Sequence, residues 1–408
     1  MKTLVLAAGK PREELSVLVP PGQNKVLLRI LGKPIIYYPL TAINKTLKSE
    51  ILLVYRSGEE KVYQTAAKYI DTIMTPIPQY DGNSVTDALL TAAEKLGDTD
   101  YFLLVFGDIV FSEDAIAQVL STHLTQDLEA TILVTPLVPE YAYTYGVVRV
   151  DEEGYVKRVI ENPQIVAEEP YYVTGGIYIL PTYILDEIKR KNMSFPQALN
   201  HLAQNGKMKA VYWSGLWIDI GYPWDLLEAV HQLMSRMNKT IIARSAEIEN
   251  NVVIEGPAII DDGVYIDHYA VIKGPVYIGK NSFIGTHSFV RHFTDLEKKT
   301  RIGAFAEVKN TITQPYTLLD SKVILADSII GENTIIGANS ITLNILPEQE
   351  KYPRLRTHLV KPTSIKVQKR KLGAIIGYNV KINPATIISP GSIIKPNSVI
   401  SHIKPLKP

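Results

Sequence analysis

Apolar and polar residues follow one pattern over residues 1 to about 240 and a different one thereafter. In the first stretch, short runs rich in Leu, Val, Ile and aromatic residues alternate with segments whose apolar positions have helical spacing. We predict strands at 2–7, 51–55, 101–106, 130–135 and 171–180, and helices at 34–47, 59–68, 84–96, 113–125 and 223–237. Because strands and helices alternate, we expect parallel strand pairing with helices on both faces of an α/β domain, and ligands beyond the carboxyl ends of the strands.

Aliphatic residues recur every six positions in the second half of the chain. A helix requires a period near 3.6 and a plain strand a period of 2, so neither explains this spacing. A six-residue unit with one inward aliphatic residue is typical of a parallel β-helix, in which three units make one coil. The inward positions predicted in this way are Ile248, Ile254, Ile260, Ile266, Ile272, Ile278, Ile284, Val290, Ile324, Ile330, Ile336, Ile376, Ile382, Ile388, Ile394 and Ile400.

The two patterns predict two domains, 1–240 and 241–408. The repeat of the second domain is expected to break twice, at a short polar interruption over 295–301 and at a longer loop excursion over 344–371. This excursion is either a solvated insertion or an arm whose cations meet phosphate or a neighbouring subunit. Its cations are Lys351, Arg354, Arg356, Lys361, Lys366, Lys369, Arg370 and Lys371.

Composition narrows the functional classes. The 43 Lys and Arg residues balance 42 Asp and Glu, which argues against nucleic acid as the partner, since phosphate binding usually leaves a strongly basic face. The absence of Cys excludes disulfides, thiolate zinc sites and a Cys nucleophile, and together with 23 Tyr it suggests a thermophilic source. No apolar run reaches the ~18 residues of a membrane span. The short apolar N-terminus is typical of a buried strand rather than a signal peptide, so we predict a cytoplasmic location without membrane binding.

Candidate chemistry lies at the ends of predicted strands. Ala7, Ala8 and Gly9 end the first strand with small residues, which lets a phosphate or a base approach the backbone. Asp108 ends the strand at 101–106, and Asp219 lies in an apolar stretch. Each Asp alone is equally well explained as a cap or turn residue. Taken together, two carboxylates in apolar surroundings suit a divalent metal, and hard oxygen ligands favour Mg²⁺.

Several short motifs resemble, in their order, those of the sugar-1-phosphate nucleotidyltransferases. The resemblance covers essentially the whole chain and is specific as a set, and archaeal members of the family look most similar. It implies a Rossmann-like nucleotidyltransferase domain followed by a left-handed parallel β-helix of hexapeptide repeats, like that of the bifunctional N-acetylglucosamine-1-phosphate uridyltransferase/acetyltransferases. The motifs are Leu6-Ala7-Ala8-Gly9, Lys25, Gly32-Lys33-Pro34, Gly107-Asp108, Tyr145-Gly146-Val147-Val148, Glu161-Asn162-Pro163, Gly176-Ile177-Tyr178 and Trp217-Ile218-Asp219-Ile220-Gly221.

The resemblance implies that the phosphate of a hexose 1-phosphate attacks the α-phosphorus of a nucleoside triphosphate and releases pyrophosphate. The triphosphate would be UTP or dTTP, and the sugar glucose 1-phosphate or N-acetylglucosamine 1-phosphate. Such chemistry depends on positioning and charge neutralisation rather than on a covalent nucleophile. By resemblance, Asp108 and Asp219 hold Mg²⁺ against the phosphates. Lys25 neutralises the α-phosphate region, although a solvated charge is the alternative explanation of this residue.

The resemblance also implies which residues bind the two substrates. Gln79 contacts the base, and Ala8 and Gly9 lie beside the nucleotide. Gly146 lines the sugar pocket, and Glu161 binds sugar hydroxyls. The stretch 82–86 leaves the choice of base open.

The phosphate-binding loop departs from the family pattern. Where the family has Gly-x-Gly-Thr-Arg, this chain has Gly-Lys-Pro-Arg-Glu over residues 9–13. Pro11 fixes φ and lacks a backbone donor, and Glu13 occupies the position of the phosphate-clamping Arg. Arg12, one residue earlier, or Lys10 is expected to compensate. A missing cationic clamp costs several kcal/mol of transition-state stabilisation.

Two further departures affect the sugar side and the second domain. Asn162 replaces the usual Lys of the Glu-Lys-Pro motif, and Thr174 occupies a position where Asn is common; both remain candidate substrate contacts. In the acetyltransferases a His serves as general base, and alignment without gaps puts Ser321 at that position while Asp327 and Asn344 match. A serine cannot take a proton near neutral pH without a base of its own, which argues against acetyl transfer by the familiar route.

Three functional hypotheses remain. The first is a Mg²⁺-dependent nucleotidyltransferase whose β-helix assembles homotrimers, as in the family it resembles. The second is a catalytically weakened paralogue that binds sugar nucleotides as a regulatory or structural subunit, which the altered loop favours. The third is an acyltransferase with a relocated base, for which His287 and His292 are the candidates, although outward, solvated coil positions explain both residues better.

Overall fold

The computed structural model describes residues 1–97, 99–126, 128–136, 146–161, 172–345, 355–356, 368–369 and 371–401. Contacts divide the chain into two compact units. The first unit comprises Met1–Lys10, Gly22–Leu27 and Ile35–Asp219, and the second comprises Pro11–Pro21, Leu28–Pro34 and Ile220–Pro408. The predicted domains, 1–240 and 241–408, remain a prediction.

The first 234 residues contain thirteen described strands and eight described α-helices. The strands are β1 (Lys2–Leu6), β2 (Arg29–Ile30), β3 (Lys33–Pro34), β4 (Ile51–Arg56), β5 (Met74–Gln79), β6 (Tyr101–Phe106), β7 (Ile109–Phe111), β8 (Ala130–Pro136), β9 (Gly146–Val150), β10 (Val156–Glu161), β11 (Tyr172–Pro181), β12 (Met208–Tyr212) and β13 (Trp217–Asp219). The helices are α1 (Glu13–Ser16), α2 (Tyr37–Thr46), α3 (Lys61–Ala66), α4 (Val85–Leu96), α5 (Asp114–Thr125), α6 (Tyr183–Lys191), α7 (Phe195–Gln204) and α8 (Pro223–Met234).

The main sheet of the first unit is mixed rather than wholly parallel. Its order is β10-β9-β11-β6-β1-β4-β5, with β8 and β12 continuing from β11. The pairs β6–β1, β1–β4 and β4–β5 are parallel, whereas β11 runs antiparallel to β6, β8 and β9. The expectation of parallel pairing is therefore wrong for the β11 side. The reason is that the apolar pattern alone does not specify the order in which β9, β10 and β11 pair.

Two apolar layers cover the faces of this sheet. Leu4 and Leu6 of β1 face the layer that contains α4, α6 and α7, whereas Val5 faces the layer that contains α2 and α5. Burial on both faces explains why the central strands are continuous apolar runs. The edge strand β5 carries Pro76 and Pro78, which an edge tolerates because its outer side needs no backbone donors.

The second unit contains the predicted left-handed β-helix, built from three parallel sheets. The first coil sheet is Ile241–Ile242, Ala258–Ile260, Val276–Ile278, Thr294–Leu296, Ile312–Thr313, Ile329–Ile330, Ile375–Ile376 and Ile393–Ile394. The second is Glu247–Ile248, Tyr265–Ile266, Phe283–Ile284, Arg301–Ile302, Leu318–Leu319, Ile335–Ile336, Lys381–Ile382 and Val399–Ile400. The third is Val253–Glu255, Val271–Lys273, Phe289–Arg291, Glu307–Lys309, Ile324–Ala326, Ile341–Thr342 and Ile387–Ile388.

Two details of the predicted repeat are wrong. Ile324 is 39% exposed, and Leu325 is the inward residue, because Leu325 and Ile330 are five rather than six positions apart in a shortened coil. The polar interruption at 295–301 does not exist as a break, since Leu296 and Ile302 continue the buried column. Asp295 and Glu297, in that segment, are fully buried.

Coil partners lie 17 or 18 residues apart until the pairing of Ile330 with Ile376, across which the spacing rises to 46. Most of the predicted excursion at 344–371 lies outside the described residues. Within it, Leu355–Arg356 pairs antiparallel with Gln368–Lys369. None of the helices in the described ranges combines the length and the apolar character that crossing a membrane requires.

Candidate active site

A pocket of about 130 Å³ opens at the carboxyl ends of the parallel strands of the first unit. The strand order β6-β1-β4-β5 brings four strand ends side by side, as the topology of α/β sheets predicts for a ligand site. We call this cavity the strand-end pocket. Its lining includes four predicted site residues, Ala8, Gly9, Gln79 and Asp108. Asn83 and Ser84 complete its wall from the loop before α4.

Lys25 and Asp108 form an ion pair in the first unit. The Nζ of Lys25 lies 2.6 Å from Oδ2 of Asp108, and the two side chains are 11% and 20% exposed. A lysine this deeply buried is not a solvated surface charge. The pair instead presents a cation and a carboxylate side by side at the edge of the strand-end pocket.

A second pocket of about 160 Å³ lies against the first. Val85 and Phe106 line both cavities, so the two share a wall. We call it the β11 pocket, because Thr174, Gly176 and Tyr178 of β11 contribute to it. Asp219 and Gly146 also line it, together with Ile109, Val159, Phe195, Pro196, Leu199 and Trp217.

Strand pairing brings the two predicted metal ligands close together. Strand β13 pairs antiparallel with β7, and Asp219 lies opposite Ile109, the residue that follows Asp108. Asp108 lines the strand-end pocket and Asp219 lines the β11 pocket, so the carboxylates flank the shared wall. Two hard oxygen donors at the junction of two cavities suit a divalent cation that completes its coordination with substrate oxygens. Among the described residues, no group of three or more His, Cys, Asp or Glu side chains is arranged to hold a metal by itself.

The β11 pocket depends on a distortion of its strand. The register between β11 and β8 shifts between Thr174 and Tyr178, and Gly176 in this bulge has φ of +70°. A Cβ added at Gly176 would lie 2.2 Å from Cδ1 of Ile109, so only glycine fits here. The bulge lets the strand bend around the cavity. Thr174 stays close to Gly146, where an added Cβ would lie 3.2 Å from Oγ1 of Thr174.

Not all predicted residues lie at these pockets. Arg12 belongs to the second unit, where its Nη1 donates a hydrogen bond of 2.7 Å to the hydroxyl of Tyr222 and its guanidinium stacks on that ring. The backbone of Glu161 pairs with that of Gly146, and its side chain is outside the description. Asn162 also lies outside the described residues. The roles expected for these three residues stay predictions.

Sequence analysis did not predict two contacts made by residues 7–11, which follow β1 and which we call the strand-end loop. Nη2 of Arg56 donates to the carbonyl of Ala8 (3.2 Å) and to Oδ1 of Asn83 (2.9 Å). Nδ2 of Asn24 donates to the carbonyl of Gly9 (3.2 Å). Arg56 ends β4, which pairs with β1, and this position at a strand end is the one signal that could have pointed to it.

The acetyltransferase-like positions have structural roles in the second unit. Asp327 is buried and accepts hydrogen bonds from the side-chain amides of Asn310 and Asn344. The ring of His287 stacks between those of Tyr269 and Phe305, with centroid distances of 5.0 and 4.9 Å. Through these contacts, Asp327 and His287 each belong to a ladder of side chains that joins successive coils.

Comparison with known proteins agrees with this geometry. The model of the nucleotidyl transferase family matches residues 4–236, and that of the bacterial transferase hexapeptide (six repeats) matches residues 257–292. The bifunctional protein GlmU of Methanocaldococcus jannaschii is 32% identical over 393 residues, covering 93% of this chain and 88% of that protein.

Two other relatives carry related names. The bifunctional sugar-1-phosphate nucleotidylyltransferase/acetyltransferase of Sulfurisphaera tokodaii is 31% identical and covers 93% of this chain and 91% of its own length. A rice protein named probable mannose-1-phosphate guanylyltransferase 2 is 26% identical, and the match covers 76% of this chain and 93% of the rice protein. Because the family model matches more than half of the chain and the archaeal similarity covers 93% of it, the chain belongs to the nucleotidyl transferase family.

Proposed function

We propose that this protein transfers a nucleotidyl group from UTP or dTTP to glucose 1-phosphate or N-acetylglucosamine 1-phosphate and releases pyrophosphate. The observation that carries the proposal is the pair of adjoining pockets, with Asp108 on one side of the shared wall and Asp219 on the other. The nucleotide would bind in the strand-end pocket and the sugar 1-phosphate in the β11 pocket. Their phosphates would then meet between the two carboxylates.

The chain's own residues supply positioning and charge. An oxygen of the sugar phosphate attacks the α-phosphorus, a new P–O bond forms, and the bond to the pyrophosphate oxygen breaks. Asp108 and Asp219 would hold a Mg²⁺ ion, which when bound neutralises phosphate charge. Lys25, already held by Asp108, adds a second cation at the same place. No proton has to be removed from a phosphate dianion, which fits the lack of a general base among these residues.

The orientation of Gln79 fits a uracil or thymine base, and it fits equally the N1–H donor of guanine. Its Nε2 donates to the carbonyl of Asp81 (3.0 Å), which leaves Oε1 as an acceptor. The N3–H of uracil and thymine is a donor that matches it. The name of the rice relative includes a guanylyl group, so all four bases belong in the test.

A second candidate, the weakened paralogue, is favoured by one observation. Arg12, expected to compensate in the altered loop, is engaged with Tyr222 instead.

We also propose that the β-helix assembles homotrimers. The name of the Sulfurisphaera tokodaii relative includes acetyltransferase, but this chain has Ser321 at the position of the general base in the acetyltransferases that it resembles, and a serine cannot take a proton near neutral pH without a base of its own.

The test is pyrophosphate release with Mg²⁺, each of four nucleoside triphosphates and either sugar 1-phosphate. The proposal predicts release with UTP or dTTP that is lost in Asp108→Ala and kept in Asp114→Ala, an exposed acid of α5. No release with any pair, together with tight binding of a sugar nucleotide, would establish the paralogue instead. Thiol release from acetyl-CoA with glucosamine 1-phosphate would show acetyl transfer, and sedimentation would report the oligomeric state.

A further inference from the structure

The strand-end loop has lost one phosphate donor and has two carbonyls held by side chains. Pro11 provides no backbone N–H where the family pattern has glycine. The carbonyl of Ala8 accepts from Nη2 of Arg56, and the carbonyl of Gly9 accepts from Nδ2 of Asn24. Both acceptors belong to residues that line the strand-end pocket. Neither Arg56 nor Asn24 lines that pocket itself.

Holding a carbonyl also orients the next amide. In a trans peptide the C=O of one residue and the N–H of the next point in opposite directions. The Arg56 contact therefore turns the N–H of Gly9 away from Arg56, and the Asn24 contact turns the N–H of Lys10 away from Asn24. Within the described part of the chain, neither amide donates to a protein acceptor. Two backbone donors are left for a ligand in the loop.

Both side chains are themselves fixed. Asn24 is 1% exposed, its Nδ2 also donates to Oε2 of Glu59 (2.7 Å), and its Oδ1 accepts from the amide of Val26 (3.2 Å). Arg56 also donates to Oδ1 of Asn83 (2.9 Å), which ties the loop to the opposite wall of the pocket. Groups fixed in this way hold the loop in one conformation before a ligand binds.

We propose that Asn24 and Arg56 are positioning residues that aim the amides of Gly9 and Lys10 at the triphosphate, replacing the donor lost at Pro11. The inference rests on the proposed function only in naming the ligand as a nucleoside triphosphate. Successive backbone amides form an anion-binding concavity, and preorganised donors need no rearrangement on binding. The effect should appear in the binding of phosphate groups and not in that of the base.

The test measures binding of inorganic tripolyphosphate and of uridine or thymidine by calorimetry. Asn24→Asp keeps the acceptor for Val26 but loses the donor to Gly9, and Arg56→Met loses both bonds of Nη2. Each is expected to weaken tripolyphosphate binding roughly tenfold to a hundredfold while nucleoside binding changes less than about twofold. If Arg56→Met does not fold, Arg56→Lys, which keeps the charge, is measured in its place.

A double variant separates positioning from folding. Asn24→Asp puts a carboxylate beside Glu59, whereas adding Glu59→Gln restores a hydrogen bond there but not the one to Gly9. The double variant should therefore recover the unfolding midpoint and stay weak for tripolyphosphate. Asn205→Asp is the matched control, since Asn205 donates to Oε2 of Glu129 at an exposed site in the same unit.

Two results would overturn the inference: unchanged tripolyphosphate affinity in Asn24→Asp and Arg56→Met, or an equal loss for nucleoside and tripolyphosphate. Failure of the proposed function is a separate outcome, because it would appear as absent pyrophosphate release in the unsubstituted protein. The binding measurements need no turnover and still decide the role of the two residues.

Discussion

Two pairs of carboxylates, one in each unit, have opposite surroundings. Asp108 and Asp219 of the first unit line cavities, and the side chain of Asp108 is 20% exposed beside Lys25. Asp295 and Glu297 of the second unit are fully buried, although they belong to the segment predicted as a short polar interruption. Partly buried acids are thus found at a candidate active site, and fully buried acids are found in the second unit.

The second pair binds a hairpin formed by β2 and β3. Glu297 accepts from Nε of Arg29 (2.9 Å) and from the amide of Gly32 (2.7 Å), and Asp295 accepts from the amide of Leu31 (2.9 Å). Gly32 has φ of +76°, and an added Cβ would lie 2.1 Å from the hydroxyl of Tyr277. These acids therefore act as acceptors for a tightly packed backbone.

The two pairs differ in what lies beside them. Asp295 and Glu297 accept hydrogen bonds from backbone amides of the hairpin, whereas Asp108 and Asp219 line cavities that a ligand can fill. Burial alone does not single out a candidate catalytic carboxylate, whereas an adjoining cavity together with a nearby cation does. The predictions below test this distinction, from the largest expected effect to the smallest.

Asp219→Asn should abolish activity without destabilising the first unit. Under the proposed function Asp219 would hold the metal, and its loss is expected to lower kcat/KM roughly a thousandfold, which is about 4 kcal/mol. Pyrophosphate release and the thermal unfolding midpoint measure the two effects. Asp186→Asn, at an exposed position of α6, is the control. Full activity in Asp219→Asn would show that Asp219 is not part of the active site.

Glu297→Gln should destabilise the second unit and leave nucleotide binding intact. The substitution takes the carboxylate from Arg29, whose side chain is 23% exposed, and breaking a buried ion pair costs about 3–5 kcal/mol. Denaturant unfolding measures the loss, and Glu247→Gln, at an exposed position of the second coil sheet, serves as the control. Unchanged stability would mean that the hairpin does not depend on this pair.

The corrected repeat predicts different effects at two neighbouring residues. Leu325→Ala removes a fully buried side chain and should cost about 2–5 kcal/mol, whereas Ile324→Ala on the outer face should cost less than about 1 kcal/mol. The two substitutions serve as controls for each other in denaturant unfolding. Equal costs would contradict the inward position of Leu325.

Asp295→Asn should stabilise the second unit at neutral pH. Burial, reinforced by the charge of Glu297, raises the pKa of Asp295 well above its ordinary value, and its Oδ1 has no hydrogen-bond partner among the described residues. A raised folded-state pKa means that stability is complete at acidic pH and is lost as the pH rises through that pKa. The neutral Asn is expected to add about 1–3 kcal/mol at pH 7.

The pH profile of unfolding checks this prediction. In the unsubstituted protein, stability should fall as the pH rises from the ordinary range of a carboxyl group toward neutrality. In Asp295→Asn the slope should be smaller. A variant less stable at every pH would show that the carboxylate of Asp295 is stabilised by its surroundings rather than strained by them.

Sequence periodicity predicted most of the elements and missed particular ones for physical reasons. The central strands are continuous apolar runs because both faces are buried, and they appear at the predicted places. Strand β5 was missed because Pro76 and Pro78 usually indicate a loop, and only its edge position makes them acceptable. The short β7 and β13 carry too few residues for a periodic signal, yet their pairing brings Asp219 next to Ile109.

The sequence by itself determined the two periods, the β-helix and the family, and it made Asp108 and Asp219 the candidate carboxylates, because these depend on local spacing and short motifs. Only the tertiary structure decided which acids face a cavity. It also decided that Asn24 and Arg56 hold the strand-end loop and that Asp295 and Glu297 are buried. Such contacts join residues distant in sequence, and a polar side chain looks the same along the chain whether it meets solvent, ligand or backbone.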